Sequence, residues 1–265
     1  MNADLALIHE AALAAGKVAL DLRAKGLETS WKPGNSPVTN GDLAVDALLK
    51  ETLLAARPDY GWLSEETVDN PGRLSKKRLF IVDPIDGTQA YVKGKPWFTV
   101  CIAVVEDGRP TAGVVFGPEL EELYEAATGE GATLNGKPIH ASNRERLEGC
   151  AMLGDAQMFA SPRWPTPWPE MNIATRNSVA YRMCLVASGA FDACFAPSNK
   201  HEWDIAAADL ICGEAGALVT DHKGDSFRYN RPIPNQPALV CAGPALHALL
   251  LDRSRHLELP YRPGE

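Results

Sequence analysis

Leu79-Phe80-Ile81-Val82-Asp83-Pro84-Ile85-Asp86-Gly87-Thr88 carries an apolar, β-branched run straight into two carboxylates and a turn. The run breaks at Pro84 and Gly87, so it reads as a buried strand that delivers Asp83 and Asp86 to a tight turn. The next basic residue is Lys93, and nothing nearby in sequence neutralises the pair. Two close carboxylates repel unless a cation lies between them or one stays protonated. A divalent metal meets the first condition, and Mg²⁺ prefers hard oxygen ligands, among which the carbonyl of Ile85 qualifies. Asp-Pro and Asp-Gly are also ordinary turn dipeptides, and this segment alone leaves both readings open. Two further acidic sites favour the metal. Ser64-Glu65-Glu66 follows the apolar Tyr60-Gly61-Trp62-Leu63, and Trp203-Asp204 opens a helical stretch running from Ile205 to Ile211.

Together these segments, with Glu214-Ala215-Gly216, resemble the inositol monophosphatase superfamily of Mg²⁺-dependent, lithium-sensitive phosphatases, in the family's order from about Ser36 to Gly216. Three motifs in one order are far more specific than an isolated Asp-Gly-Thr. The resemblance implies an α+β fold, a layered αβαβα sandwich of the inositol monophosphatase and fructose-1,6-bisphosphatase type. It assigns metal ligation to Glu65, Asp83, the Ile85 carbonyl, Asp86 and Asp204, with two Mg²⁺ ions bridged by Asp83 and room for a third near Glu65. It implies in-line attack of a metal-activated water on a phosphate monoester. Thr88 positions that water and is oriented by Asp42, which follows Thr39 by three residues as in the family pattern; Glu65 shares the catalytic site. Thr39 and Asp42 taken alone suit a helix cap equally well. The N–H groups of Gly87 and Thr88 are expected to hold the phosphate, with Arg182 and Asp204 as further substrate contacts.

The composition is that of a soluble globular protein: 265 residues, 45% hydrophobic and 23% charged. No apolar run approaches the roughly 18 residues of a spanning helix, and Met1-Asn2-Ala3-Asp4 lacks the basic start and apolar block of a signal peptide. A cytoplasmic protein without a membrane partner is expected. The net charge is -8, and basic clusters such as Lys76-Lys77-Arg78 are too short to follow a nucleic-acid backbone, so no polymeric nucleic acid is expected as a partner. A small phosphorylated metabolite remains compatible once bound metal reverses the local field. A homodimer is left open. The six cysteines are scattered singly through apolar stretches and read as core thiols.

In chain order, Asp4 to Lys25 has helical spacing, with Asn2 as cap and Gly26 as stop. Lys32-Pro33-Gly34-Asn35-Ser36-Pro37 reads as a loop, with Lys32 either facing the phosphate or solvated. A second helix then presents Leu43, Ala44, Ala47, Leu48 and Leu54 as its apolar face. Consecutive side chains on an extended segment diverge, so Glu65 and Glu66 are not expected to reach one ion. Thr67 to Gly72 reads as a mobile loop. Asp107-Gly108 and Asn135-Gly136 turn a series of strands into an antiparallel sheet covered by the two helices. A soft boundary near Ser142 divides 1–141, the helices and sheet with most metal ligands, from 142–265, an α/β part supplying Asp204 and substrate contacts. Trp164-Pro165-Thr166-Pro167-Trp168-Pro169 is either a lid or a packing feature. His201 and the other histidines lack ligand spacing and read as surface residues or neighbours of the ligands.

Inositol monophosphatases carry a Glu seven residues before the Trp-Asp aspartate, where this chain has Pro197; Glu202 is a candidate substitute. Ala196-Pro197-Ser198-Asn199 and Ser36-Pro37-Val38-Thr39 resemble segments of 3′(2′),5′-bisphosphate nucleotidases, in which a basic residue stands at the place of Arg182. A guanidinium there suits a second phosphate, although Arg182 equally suits a solvated helix face. The leading expectation is a bisphosphate nucleotidase converting adenosine 3′,5′-bisphosphate to AMP and phosphate. Inositol-1-monophosphatase and histidinol-phosphatase are the alternatives, and a regulatory binding protein with vestigial phosphatase activity is the alternative of another class.

Overall fold

The computed structural model describes residues 2–32 and 36–259. Helix α1 (Ala3–Lys25) starts where the Asn2 side chain accepts the N–H groups of Asp4 and Leu5, and stops at Gly26 with φ 101°, a conformation that favours glycine. Strands β1 (Thr29–Lys32) and β2 (Ser36–Thr39) form an antiparallel ribbon. Lys32 and Ser36-Pro37, expected in a loop, therefore lie in strands; 33–35 fall outside the described residues. Pro37 sits on a two-stranded edge, where its missing N–H costs no ladder bond.

Helix α2 (Asn40–Ala56) buries Gly41, Asp42, Val45, Asp46, Leu49 and Leu53. This corrects the expected apolar face: Leu43 is 54% exposed. Two carboxylates win the inward face because both find partners there. Asp46 accepts from Ser64 Oγ and from Thr67 Oγ1 at 2.7 Å, and Asp42 belongs to the site described below.

Strands β3 (Gly61–Ser64), β4 (Arg78–Asp86), β5 (Thr99–Glu106), β6 (Arg109–Gly117), β7 (Glu122–Ala127), β8 (Gly131–Leu134) and β9 (Lys137–Pro138) form one sheet in that order. It is antiparallel except for the parallel pair β3 and β4. Their connection, expected to be a mobile loop, holds the 3₁₀ turn Pro71–Ser75 and is tied by Arg73 to Asp69, Asn230 and the Arg231 carbonyl. Both faces of the sheet are covered, which is why β4 and β5 read as unbroken apolar runs. Phe80, Val82, Val100, Ile102 and Val104 pack toward α1 and α2. Their alternates Leu79, Ile81, Cys101, Ala103 and Val105 belong to the core on the other side.

Short α3 (Thr88–Val92) and α4 (Ala156–Phe159) precede α5 (Val179–Ala187) and α6 (Glu202–Glu214). Helices α5 and α6 pack together against that second face and, on their far side, against a five-stranded sheet. That sheet has β10 (Ala151–Leu153), β11 (Asn172–Ala174), β12 (Ala193–Ala196), β14 (Leu218–Thr220) and β16 (Leu239–Ala242) in the order β11-β10-β12-β16-β14. A small ribbon pairs β13 (Lys200–His201) with β15 (Asn235–Gln236), and α7 (Pro244–Ser254) packs on β16. The layers are helix, sheet, helix, sheet, helix, as the resemblance implied. The tryptophan and proline loop packs into the outer core: Trp164 and Trp168 meet edge-on at 5.1 Å, and Arg253 binds the carbonyls of Thr166 and Pro167. Among the described residues no helix is long and apolar enough to cross a membrane.

Candidate active site

Between Asp83 and Asp86 the ladder slips: Asp83 faces Cys101 while Asp86 faces Thr99, three steps on β4 against two on β5. The extra residue makes a bulge, where Pro84 is tolerated because no ladder N–H is required. In a regular strand, residues three apart point to opposite faces. The bulge brings Asp83, Ile85 and Asp86 to the wall of one cavity of about 450 Å³, shared with Glu65, Gly87, Thr88 and Asp204. Gly87 ends the strand at φ 96°, and a Cβ there would lie 2.9 Å from the Trp97 carbonyl oxygen.

Thr88 Oγ1 lies 3.0 Å from Asp42 Oδ1 and 3.1 Å from the Ile85 carbonyl oxygen. Asp42 Oδ2 accepts Thr39 N–H at 2.8 Å and Thr39 Oγ1–H at 2.6 Å. The Asp42 and Thr88 pair read from the sequence is thus present. So is the cap, since Thr39 Oγ1 accepts Gly41 N–H at 3.0 Å. Burial raises the Asp42 carboxyl above its usual range against the pull of these bonds.

Three further aspartates of the cavity are held high as well. Asp83, 1% exposed, is raised well above its usual value by burial and then by Glu65, Asp86 and Asp204. Burial, followed by the charge of Asp204, pushes Asp86 to about 7. Burial, followed by Glu65, pushes Asp204 to about 7. Four carboxylates and a carbonyl around one cavity, with the Lys32 ammonium on Glu65 as the one cation among its lining residues, suit a hard divalent cation. Among the described residues no three His, Cys, Asp or Glu side chains are already drawn into a ligand cage. One oxygen of each aspartate is instead held by protein donors. Asp83 Oδ1 accepts Ile85 N–H at 3.0 Å, Asp86 Oδ2 accepts Ser178 Oγ–H at 2.7 Å and Ala180 N–H at 2.8 Å, and Asp204 Oδ2 accepts His201 N–H at 2.9 Å. These bonds fix the carboxylates on the cavity wall, and Asp204 caps α6 while lining it.

Lys32 Nζ binds Glu65 Oε1 at 3.0 Å and Glu66 Oε1 at 2.6 Å. Glu65 lines the cavity and Glu66 does not, as the alternation of side chains required, yet both reach one ammonium because Lys32 spans them. Burial opposes the charge on Lys32, but Glu65 and Glu66 overcome it and raise its pKa. Burial brings Glu66 to about 7.

Glu202 does not replace the acid missing at Pro197. It is 0% exposed and turned away, accepting the N–H groups of Asn230 and Arg231 at 2.7 and 3.1 Å. Arg182 does not line the main cavity. With Lys200, Ser198, Phe195 and Met158 it lines a second one of about 280 Å³, reached one residue along the chain, since Lys200 faces the second cavity and His201 the first. The sequence reading gave no role to Ser178, whose hydroxyl fixes Asp86, or to the ring of Trp203; His201, read as a surface residue or a neighbour of the ligands, is such a neighbour, its ring stacked on Trp203 at 4.5 Å on the cavity wall.

The family described as "Inositol monophosphatase family" matches residues 4–258. A relative named "Nus factor SuhB" from Pasteurella multocida is 35% identical over 234 residues, covering 84% of this chain and 87% of that protein. A "Histidinol-phosphatase" from Chlorobaculum parvum is 33% identical over 234 residues, covering 84% and 88%. Among solved structures, the extragenic suppressor protein suhB from Bartonella henselae superposes with a TM-score of 0.83 at 28% identity, covering 96% of this chain and 99% of that one.

Proposed function

The chain belongs to the inositol monophosphatase family of phosphatases, and we propose that it is a Mg²⁺-dependent phosphomonoesterase whose substrate is a nucleoside 3′,5′-bisphosphate such as adenosine 3′,5′-bisphosphate. The observation that carries the chemistry is the common cavity of Glu65, Asp83, Ile85, Asp86, Thr88 and Asp204. Glu65, Asp83, Asp86, Asp204 and the Ile85 carbonyl would hold the Mg²⁺ ions, two or three of them. Bound there, Mg²⁺ supplies water activation and neutralises charge on the ester.

The chain's own residues orient and move protons. With its hydroxyl proton on Asp42 Oδ1, Thr88 Oγ1 keeps a lone pair to accept a proton from the attacking water, and Asp42 is the base behind it. The N–H groups of Gly87 and Thr88 are assigned to the phosphate oxygens. Ser178 and Ala180 hold Asp86 in place.

The bisphosphate reading is supported by what surrounds Pro197. Glu202 is turned away from the place of the inositol-binding Glu, and Arg182 and Lys200 put two cations, against the single acid Asp155, in the adjoining cavity, where a second phosphate fits. The test is phosphate release from adenosine 3′,5′-bisphosphate, inositol 1-phosphate, histidinol phosphate and fructose 1,6-bisphosphate. A preference of about tenfold or more in kcat/KM for the nucleotide is expected, roughly the worth of one charge-assisted contact; equal rates on all four would overturn the substrate assignment. The relatives named Nus factor SuhB favour a second reading, a regulatory binding role. That role makes no demand on the buried carboxylates, so binding undiminished in Asp86→Asn beside absent turnover in the native chain would favour it.

A further inference from the structure

The cation-lined cavity does not end at Arg182 and Lys200. Met158 and Pro197 line both it and a third cavity of about 380 Å³, walled by Trp164, Leu257 and Leu259, with Gln157, Ser161 and Arg163 as its polar groups. The wall between them is short α4, which carries Gln157 and Met158.

This third compartment is built. Trp164 Nε1 donates to the Met158 carbonyl at 2.7 Å, its ring meets Trp168 edge-on at 5.1 Å and Phe195 at 6.2 Å, and Arg253 pins the following loop carbonyls. A ring fixed in this way offers an apolar surface at little entropic cost. Beside it, Lys200 is 6% exposed, and its ammonium is tied to the Ser198 carbonyl, the Ser198 hydroxyl and the Asn199 carbonyl. Asp155 shares the lining of this middle compartment, but among the described residues neither Lys200 nor Arg182 has a carboxylate within ion-pair distance, so two cations face one acid there.

We infer that the Trp164 compartment is the ring-binding subsite of the leaving group, taking the nucleobase of a nucleotide whose remaining phosphate lies against Arg182 and Lys200. The inference rests on the bisphosphate reading above and adds to it the residues that read the base. Stacking on a fixed aromatic wall accounts for affinity, and the amide, hydroxyl and guanidinium of Gln157, Ser161 and Arg163 offer hydrogen bonds to a heterocycle edge.

The test is calorimetric titration of the full chain with AMP and with ribose 5-phosphate, which share the second phosphate and differ in the base. AMP is expected to bind about tenfold tighter or more, the range of base stacking on an aromatic side chain. The difference is expected to fall within about twofold in Trp164→Leu and in Leu257→Gln, the latter a half-buried wall residue whose exchange leaves the aromatic cluster whole. Hydrolysis of glycerol 2-phosphate, which has no ring, is expected to stay within about twofold of the native chain in both variants. Equal binding of AMP and ribose 5-phosphate by the native chain, or variants that weaken both ligands alike, would overturn the inference. Failure of the phosphatase reading shows separately, as no hydrolysis of any ester.

Discussion

Replacing Asp42 by Asn separates catalysis from folding. Asp42 is 1% exposed and accepts three hydrogen bonds: Thr39 N–H at 2.8 Å and Thr39 Oγ1–H at 2.6 Å on Oδ2, and Thr88 Oγ1–H at 3.0 Å on Oδ1. An asparagine can set its carbonyl oxygen where Oδ2 was and keep both Thr39 donors. Its amide then faces Thr88 as a donor, and the Thr88 proton turns to the Ile85 carbonyl, 3.1 Å away. Every buried polar group stays paired, so the stability cost is about 1 kcal/mol, the loss of charge from the bonds being offset in part by relief of burying it. Asp42→Ala removes both acceptor oxygens, with their three hydrogen bonds, and strands buried donors, at about 3 kcal/mol or more. In Asp42→Asn the route for a proton from water through Thr88 has no acceptor at its end, so kcat falls by about 10²–10⁴ while KM stays within about threefold. Steady-state phosphate release at saturating Mg²⁺, beside urea denaturation, measures both. A folded Asp42→Asn enzyme with kcat within threefold of native would reduce Asp42 to a helix cap and refute the proton route.

Asp86→Asn also keeps its fold, because the amide carbonyl can accept from both Ser178 and Ala180; turnover is expected below about 1% of native, and retained turnover at saturating Mg²⁺ counts against Asp86 as a ligand. Gly113→Ala on β6 would bring a Cβ within 2.8 Å of the Ala207 carbonyl oxygen on α6, destabilising by about 1–3 kcal/mol in urea denaturation; a cost below 0.5 kcal/mol would show that α6 yields freely. For Glu202, burial raises the carboxyl from 4.5 to about 7. The folded chain keeps this proton up to about pH 7 while the unfolded chain releases it near 4.5, so the contribution to stability is full at low pH and is lost as pH rises toward 7, by at most about 3 kcal/mol. Glu202→Gln does not titrate, so in EDTA the stability of the native chain relative to the variant is expected to fall between pH 5 and 8; parallel pH profiles contradict this.

The central turn was legible because an apolar strand ends abruptly at Pro84 and Gly87, and because two close buried carboxylates need either a cation or a retained proton. The layer order came from the family resemblance; the apolar runs on β4 and β5, which the structure covers on both faces, agree with it. What misled was α2, where Asp42 and Asp46 took the inward face. A count of apolar residues cannot see that two buried carboxylates will find hydroxyl and amide donors. Lys32 and Ser36-Pro37 read as loop because a two-stranded ribbon tolerates prolines that a central strand rejects. The roles of Ser178, His201 and Lys200 depend on approach between distant segments, which no local spacing records.

Phosphate release from adenosine 3′,5′-bisphosphate, followed as Mg²⁺ is removed by EDTA and then returned in excess, tests the convergence of Glu65, Asp83, Asp86 and Asp204 on a catalytic cation most directly. Activity that vanishes with the chelator and returns with Mg²⁺, and that Asp83→Asn fails to recover, is predicted; release indifferent to the chelator, or undiminished in Asp83→Asn, would contradict the account.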